Sequence, residues 1–251
     1  MSGHSHWATI KHKKAALDAK RGRLWSKVAR MIIVAARSGG GDPSANLTLR
    51  YAIDKAKAVN MPKDTIEKAI KRGAGGTEGI TFESIQYEGY GPGGVAIVVE
   101  TLTDNRNRTG PEIKRIFEKH GASFGTPGCV NWMFSKKGLI TVSTSDVNED
   151  DLLELALGAG AEDVQNTGKV YEITCDPAAY EGLKKALEEK AIPIQVADIS
   201  MVPQTLVPIT DENTARKILS LMDAIEDHED VQNTYANFDI PEETIAKVSA
   251  S

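Results

Sequence analysis

Apolar residues recur at helical spacing through the first quarter of the chain and at strand spacing through much of the remainder. From Lys13 to Ser38, the residues Leu17, Leu24, Val28, Met31, Ile32 and Ala35 fall on one stripe of a helix turning about 100° per residue. Gly39–Pro43 interrupts that pattern, and a second helix is predicted from about Ala45 to Val59, burying Leu47, Tyr51, Ile53 and Ala56. Pro62 suits the first position of a third helix, and Gly73 suits its stop. Three helices with short connections predict a small bundle.

The pattern changes after the Gly-rich stretch 73–79. Glu83–Glu88 and Val95–Leu102 read as strands joined by the turn Gly89–Gly94. Thr109-Gly110-Pro111-Glu112 has the form of a capping box opening a helix through Ile113, Ile116 and Phe117. Cys129–Phe134 reads as a further strand. Six elements then alternate: strand 139–143, helix 149–157, strand 163–166, strand 169–174, helix 177–190 with Asp176 as cap, and strand 194–202. This β-α-β-β-α-β order is the ferredoxin-like pattern. A helix over 211–225 and a strand over 231–238 follow.

One hexapeptide occurs twice. Glu162–Thr167 and Glu229–Thr234 both read Glu-Asp-Val-Gln-Asn-Thr, each at a helix-to-strand junction, which argues for two related modules. The module at 77–135 lacks a second helix and a last strand, and 206–240 supplies both. The expected fold is therefore α+β and multidomain: a three-helix bundle and two ferredoxin-like-type α+β domains, the third inserted into the second. The expected boundaries are 1–76 for the helical domain, 77–135 with 206–240 for the discontinuous domain, 136–205 for the insertion and 241–251 for a tail.

Charge sharpens this division. Residues 1–76 hold 16 Lys+Arg against 5 Asp+Glu, a formal +11, and the rest of the chain holds 14 against 30, a formal −16. A basic block of this density calls for a polyanion. In the first predicted helix, Lys20, Arg23, Lys27, Arg30 and Arg37 line a stripe beside the apolar one, and Asp18 is the one acid between Met1 and Gly41. Trp7 and Trp25 interleave with Lys11, Lys13, Lys14, Lys20, Arg21 and Arg23, a mixture suited to base stacking and phosphate contact. Trp25 reads first as bundle packing, whereas Trp7 precedes the helix and fits either part. The candidate nucleic-acid ligands are Trp7, Lys11, Lys13, Lys14, Lys20, Arg21, Arg23, Lys27, Arg30, Arg106 and Arg108. The last two lie in a loop read either as a phosphate contact or as a turn stapled by Asp104 and Asn107.

Other chemistry finds little support. Gly89, Gly91 and Gly94 match G-x-G-x-x-G in letters, but a strand follows where a dinucleotide site needs a helix N-terminus. The turn either simply joins two strands or offers backbone to a partner through Tyr90, Gly91, Pro92 and Gly93, and Gly91 is expected at positive φ. His4, His6 and His12 have no cysteine nearby, so no metal site is expected. His120 and Cys129 lack a third orienting residue, so no catalytic residues, cofactor or small-molecule substrate are expected. Two cysteines, no apolar leader and no apolar run longer than Met31–Ala36 point to a reducing cytoplasm and no membrane partner.

Several strings together carry a family resemblance. They are Gly3-His4-Ser5-His6-Trp7-Ala8, Ile10-Lys11-His12-Lys13-Lys14-Ala15-Ala16, Asp18-Ala19-Lys20-Arg21-Gly22, Asn60-Met61-Pro62, Ala69-Ile70-Lys71-Arg72-Gly73, Tyr87–Gly94 and Thr103–Thr109. With them the chain resembles the YebC-type family over nearly its whole length. Gly110-Pro111 departs from the family's ordinary helix formers. The resemblance implies a helical N-terminal domain, two α+β domains with the third inserted into the second, and a cytosolic non-enzymatic regulator of gene expression. Members carry two labels, DNA-binding transcriptional regulator and translational activator at the ribosome, including in mitochondria. Nucleic acid is the expected partner: the long basic helix leans to ribosomal RNA, sequence-specific DNA is the alternative, and a protein-interaction scaffold whose basic arm docks on an acidic body is the reading of another class.

Overall fold

The computed structural model describes residues 18–75 and 82–250. Helix α1 (Asp18–Gly39) packs on α2 (Leu47–Ala58) and α3 (Lys63–Ala74). Its apolar stripe, Val28, Ile32, Ile33, Ala35 and Ala36, meets Leu49, Ala52, Ala56, Ile66 and Ala69 in one core. Asn46 closes the corner between the first two helices: its Oδ1 accepts from Leu49 N at 3.1 Å, and its Nδ2 donates to the carbonyls of Ala35 and Gly40, each at 2.8 Å. Two expected helix signals play other parts. Pro62 is the N-cap of α3, one residue before its first turn. Gly73 does not end the helix, which runs on to Ala74; it is buried where a Cβ would strike the Ile33 carbonyl and the Ala36 methyl, so it sets how closely α3 approaches α1.

Strands β1 (Glu83–Tyr90) and β2 (Ala96–Thr103) form an antiparallel hairpin, with Glu83 opposite Thr103 and Tyr90 opposite Ala96. Helix α4 (Arg106–Lys119) leads to the two-residue β3 (Ser123–Phe124), which pairs with the end of β1. The chain then builds a second sheet from β4 (Phe134–Ser143), α5 (Glu149–Gly158), β5 (Ala161–Asn166), β6 (Val170–Cys175), α6 (Tyr180–Glu189) and β7 (Ile194–Pro203). Its order is β5-β6-β4-β7 with every pair antiparallel, the β-α-β-β-α-β arrangement with its first and third strands in the middle. After β8 (Val207–Pro208) and α7 (Glu212–Glu226), strand β9 (Val231–Ala236) joins β2, giving the first sheet the order β3-β1-β2-β9. Strand β10 (Phe238–Asp239) pairs with β8, and α8 (Glu242–Ala250) follows.

The fold is thus α+β, a helical bundle with two four-stranded antiparallel sheets. In the first sheet Val95, Ile97 and Val99 face α4 and α7 through Ile113, Phe117, Ile218, Leu221 and Ile225. On its other side Ala96 and Val98 meet Tyr235, Val130, Phe134 and Met201. Burial on both faces explains the unbroken apolar run Val95–Val99. The second sheet packs Ile140, Val142 and Ile173 against Leu152, Leu183 and Leu187 of its two helices.

Three local expectations give way to tertiary structure. Cys129–Phe134 is not a strand. Glu88 accepts hydrogen bonds from the backbone N–H of Gly128, Val130 and Asn131 at 2.7–2.8 Å, which curls the segment into a 3-10 turn at Asn131–Met133 before β4 begins. Helix α4 does not open on the Thr109 box: Asn105 caps it, accepting from Arg108 N at 3.2 Å, and Pro111 lies in its second turn. Helix α6 starts at Tyr180, because residues 177–179 form a turn in which Asp176 accepts from Ala178 N at 2.8 Å.

Candidate nucleic-acid interface

Of the cations expected to meet phosphate, Lys11, Lys13 and Lys14 lie outside the described residues, as does Trp7. Lys20 and Arg21 fall near the start of α1. Arg23, Lys27 and Arg30 follow at i, i+4 and i+7, so they share one side of the helix. That side rests on the turn between α7 and β9. Arg23 Nη1 lies 3.7 Å from Asp227 Oδ1. Lys27 Nζ donates to the Glu226 carbonyl at 2.5 Å. Arg30 Nη1 donates to Asp230 Oδ1 at 2.7 Å and to the Glu229 carbonyl at 2.9 Å, while its Nη2 donates to Glu229 Oε2 at 3.2 Å. The Arg30 guanidinium also stands 5.9 Å from the centre of the Phe82 ring.

Asp230 is the hub. Its side chain is 1% exposed, and its second oxygen accepts from Arg108 Nη2 and from Thr109 Oγ1, each at 2.7 Å. Burial alone would raise its pKa. The Thr109 and Arg108 hydrogen bonds, with the charges of Arg108 and Arg30, outweigh that and hold the carboxyl below the usual range. Neighbouring His228 accepts from Asp230 N at Nδ1 (3.2 Å), so its Nε2 carries the proton that faces Glu112 Oε2 at 3.0 Å. A second contact ties the bundle to both sheets: Lys55 Nζ reaches Asp198 Oδ2 of β7 at 3.1 Å and Asn233 Oδ1 of β9 at 3.4 Å, and the Tyr51 and Tyr180 rings meet edge to face at 6.1 Å.

The two arginines of the 104–109 loop therefore part company. Arg108 binds Asp104 at 3.1 Å as well as Asp230, whereas Arg106 stands exposed in the first turn of α4. Asp104 does tie the loop together, through Arg108, and Asn105 supplies the cap. Trp25 lies against the bundle core and donates from Nε1 to the Val59 carbonyl at 3.1 Å.

The glycine turn also differs in detail. Gly91 is extended (φ −82°, ψ 177°), because its N–H donates to the Val95 carbonyl at 2.7 Å and closes the hairpin. The positive φ angles belong to Gly93 (76°) and Gly94 (78°). Pro92–Gly94 is a 3-10 turn, and Gly93 sits against Ile209 and Thr214 at the start of α7. Tyr90 remains exposed, and its hydroxyl donates to the Cys129 carbonyl at 3.1 Å. Trp132 donates from Nε1 to the same carbonyl at 3.1 Å and is 67% exposed. Two aromatic rings thus converge with their donors turned inward, on a loop that Glu88 anchors. Burial would raise the Glu88 pKa, but the three backbone N–H donors hold it below its ordinary value. Sequence reasoning missed Trp132, because its apolar surroundings read as a core strand.

The remaining candidates have structural partners. His120 caps the end of α4, with Nδ1 2.8 Å from the Ile116 carbonyl. Burial, and secondarily the Glu88 charge, push the Cys129 thiol up, away from the reactive thiolate. Among the described residues no helix is long and apolar enough to cross a membrane.

Comparison with known proteins matches this architecture. Residues 5–76 match the family model described as the TACO1/YebC protein N-terminal domain, and residues 82–238 match the one described as the TACO1/YebC second and third domain. A "probable transcriptional regulatory protein" of Halothermothrix orenii is 53% identical, over 99% of each chain. Another so named, from Dictyoglomus thermophilum, is 54% identical over 99% of this chain and all of that protein. A solved structure, a conserved hypothetical protein of Aquifex aeolicus, superposes with a TM-score of 0.84 at 51% identity, covering 94% of this chain and 98% of that one.

Proposed function

We propose, for a chain that belongs to the TACO1/YebC family, the role of a non-enzymatic cytoplasmic regulator of gene expression that binds nucleic acid through residues 1–76. The observation that carries this reading is the charge division: a formal +11 on the helical part against −16 on the rest. The phosphate contacts are assigned to Lys11, Lys13, Lys14, Lys20 and Arg21, with Arg23, Lys27 and Arg30 of α1 and the exposed Arg106 of α4, and Trp7 is assigned as a stacking residue. The names of the relatives support a regulator. We take residues 77–135 with 206–240 as one domain and 136–205 as its insertion, together an acidic body that orients the basic part.

RNA is the preferred polyanion. The Tyr90 and Trp132 side chains are held by their own donors and stand exposed, and exposed aromatic rings stack on unpaired bases but have no access to those of a duplex. Fluorescence anisotropy with a single-stranded RNA and a duplex DNA across a salt series, beside co-sedimentation with ribosomes, tests both levels. Tighter binding to RNA is expected. Replacing Lys13, Lys20 and Lys27 by Glu should weaken binding, with the slope of log affinity on log salt falling by roughly 0.7–0.9 per lost contact. Trp132→Ala should cost roughly tenfold for RNA alone. Specific binding of a promoter duplex, with ribosome association only at low salt, overturns the preference for RNA.

The scaffold reading also has a specific observation in its favour, the ion pairs that join α1 to residues 226–230. Failure of the protein to bind either nucleic acid would leave that reading in place.

A further inference from the structure

We infer that residues 226–230 are a built-in competitor for phosphate: docked on α1, they occupy cations that a nucleic acid would take, so docking of the bundle and capture of a polyanion exclude each other at this face. The inference rests on the nucleic-acid reading above. The geometry supports it in three ways. First, Arg23, Lys27 and Arg30 span about 10 Å along one side of α1. Along that span they meet a row of oxygens: the Glu226 carbonyl, the Asp227 carboxylate, the carbonyl and carboxylate of Glu229, and the Asp230 carboxylate. Arginine binds carboxylate and phosphate oxygens by the same planar fork, so each acceptor stands where a phosphate oxygen could.

Second, most of these contacts are weak enough to exchange. Asp227 and Glu229 are more than half exposed, and pairs of that kind contribute little and are screened by salt. Third, the one buried member does not depend on the bundle. When Arg30 leaves, Asp230 keeps Arg108 and Thr109, both from its own side of the interface, and only Oδ1 passes to water. Undocking therefore strands no buried charge, in contrast to the usual consequence of breaking a buried pair. A polyanion offers α1 the same fork contacts with the added gain of released counterions.

The test uses the full chain with a twenty-nucleotide single-stranded RNA. In the Asp227→Asn/Glu229→Gln variant, RNA should bind three- to tenfold more tightly than to the wild type at the same salt. Glu188→Gln/Glu189→Gln, the same charge change on exposed residues of α6, should not reproduce that gain. Hydrogen exchange at the amides of 226–231 should quicken in the wild type when RNA is added. Equal RNA affinity of wild type and the 227/229 variant, an equal gain in the 188/189 control, or unchanged exchange at 226–231 in the RNA complex each overturns the competition while leaving RNA binding intact. Binding by the variant alone supports it in its strongest form. Binding by neither protein overturns both this inference and the reading beneath it.

Discussion

At 162–167 the residues Glu-Asp-Val-Gln-Asn-Thr form the exposed outer strand of the second sheet, and at 229–234 the same six residues bury a carboxylate beneath the helical bundle. The local structure is shared. Each copy follows a helix, enters an outermost strand and carries a register irregularity near its start. The energetics are not shared. Asp163 accepts from its neighbours Val164 N (2.9 Å) and Gln165 Nε2 (2.7 Å) in water, whereas Asp230 holds two arginines and a threonine hydroxyl. Glu162 pairs with Lys137 within its own sheet, while Glu229 reaches across to Arg30 of the bundle. Gln165 donates to Asp163, but both polar atoms of the Gln232 amide are buried with no hydrogen-bond partner among the described residues. Sequence and strand position set where the backbone goes; what packs on the strand sets what each side chain is worth.

Substitution at the two aspartates should separate the copies most. Asp230→Ala leaves Arg108, Thr109 and Arg30 without their shared acceptor and should cost about 3 kcal/mol, moderated by the partial exposure of both arginines. Asp163→Ala should stay within about 0.5 kcal/mol. Urea unfolding of the two variants reads the difference, and equal midpoints would erase the contrast. The valines come next. Val231 is 1% exposed in the core with α4 and α7, so Val231→Ala should cost about 2 kcal/mol. Val164 only flanks its core, and Val164→Ala should cost about half as much.

The glutamines should differ in sign. Gln232→Met replaces a buried unpartnered amide with an apolar chain of similar length and should stabilise by about 1 kcal/mol. Gln165→Met on the exposed strand should change little. A loss of stability in Gln232→Met would mean that the amide has a partner in solution.

Much of the fold was legible from spacing, because periodicity reports which face of an element is buried. The three helices, the β1–β2 hairpin and the β-α-β-β-α-β order all follow from it. Signals that depend on distant groups were not. Gly73 reads as a helix stop until Ile33 and Ala36 are placed against it. Thr109 reads as a cap, yet its hydroxyl belongs to Asp230, so Asn105 takes the cap. Cys129–Phe134 reads as a strand until Glu88 curls it. The same limit applies to the candidate site. The cation stripe on α1 is visible in the sequence, but its partners lie about 200 positions away, and no local pattern distinguishes Asp230 from Asp163.

The smallest contrast is in acid. The Asp230 carboxyl is held below its ordinary value in the folded state, so the folded protein resists protonation of this group more than the unfolded chain does. The stability this supplies is fully present above the unfolded value of about 3.9 and is lost as pH falls through the lower folded value. Lowering the pH from 7 to 5 should therefore leave this contribution intact, and the loss should begin below about pH 4. Asp230→Asn cannot titrate, so its stability curve should lie below the wild type at neutral pH and converge on it in acid. Asp163→Asn provides the same change within the same six residues, without the arginines. Urea midpoints collected between pH 7 and pH 3 give the curves. Curves for wild type and Asp230→Asn that stay parallel down to pH 3 would show that the arginines leave this carboxyl as it is in the unfolded chain, and the distinction between the two copies would rest on packing alone.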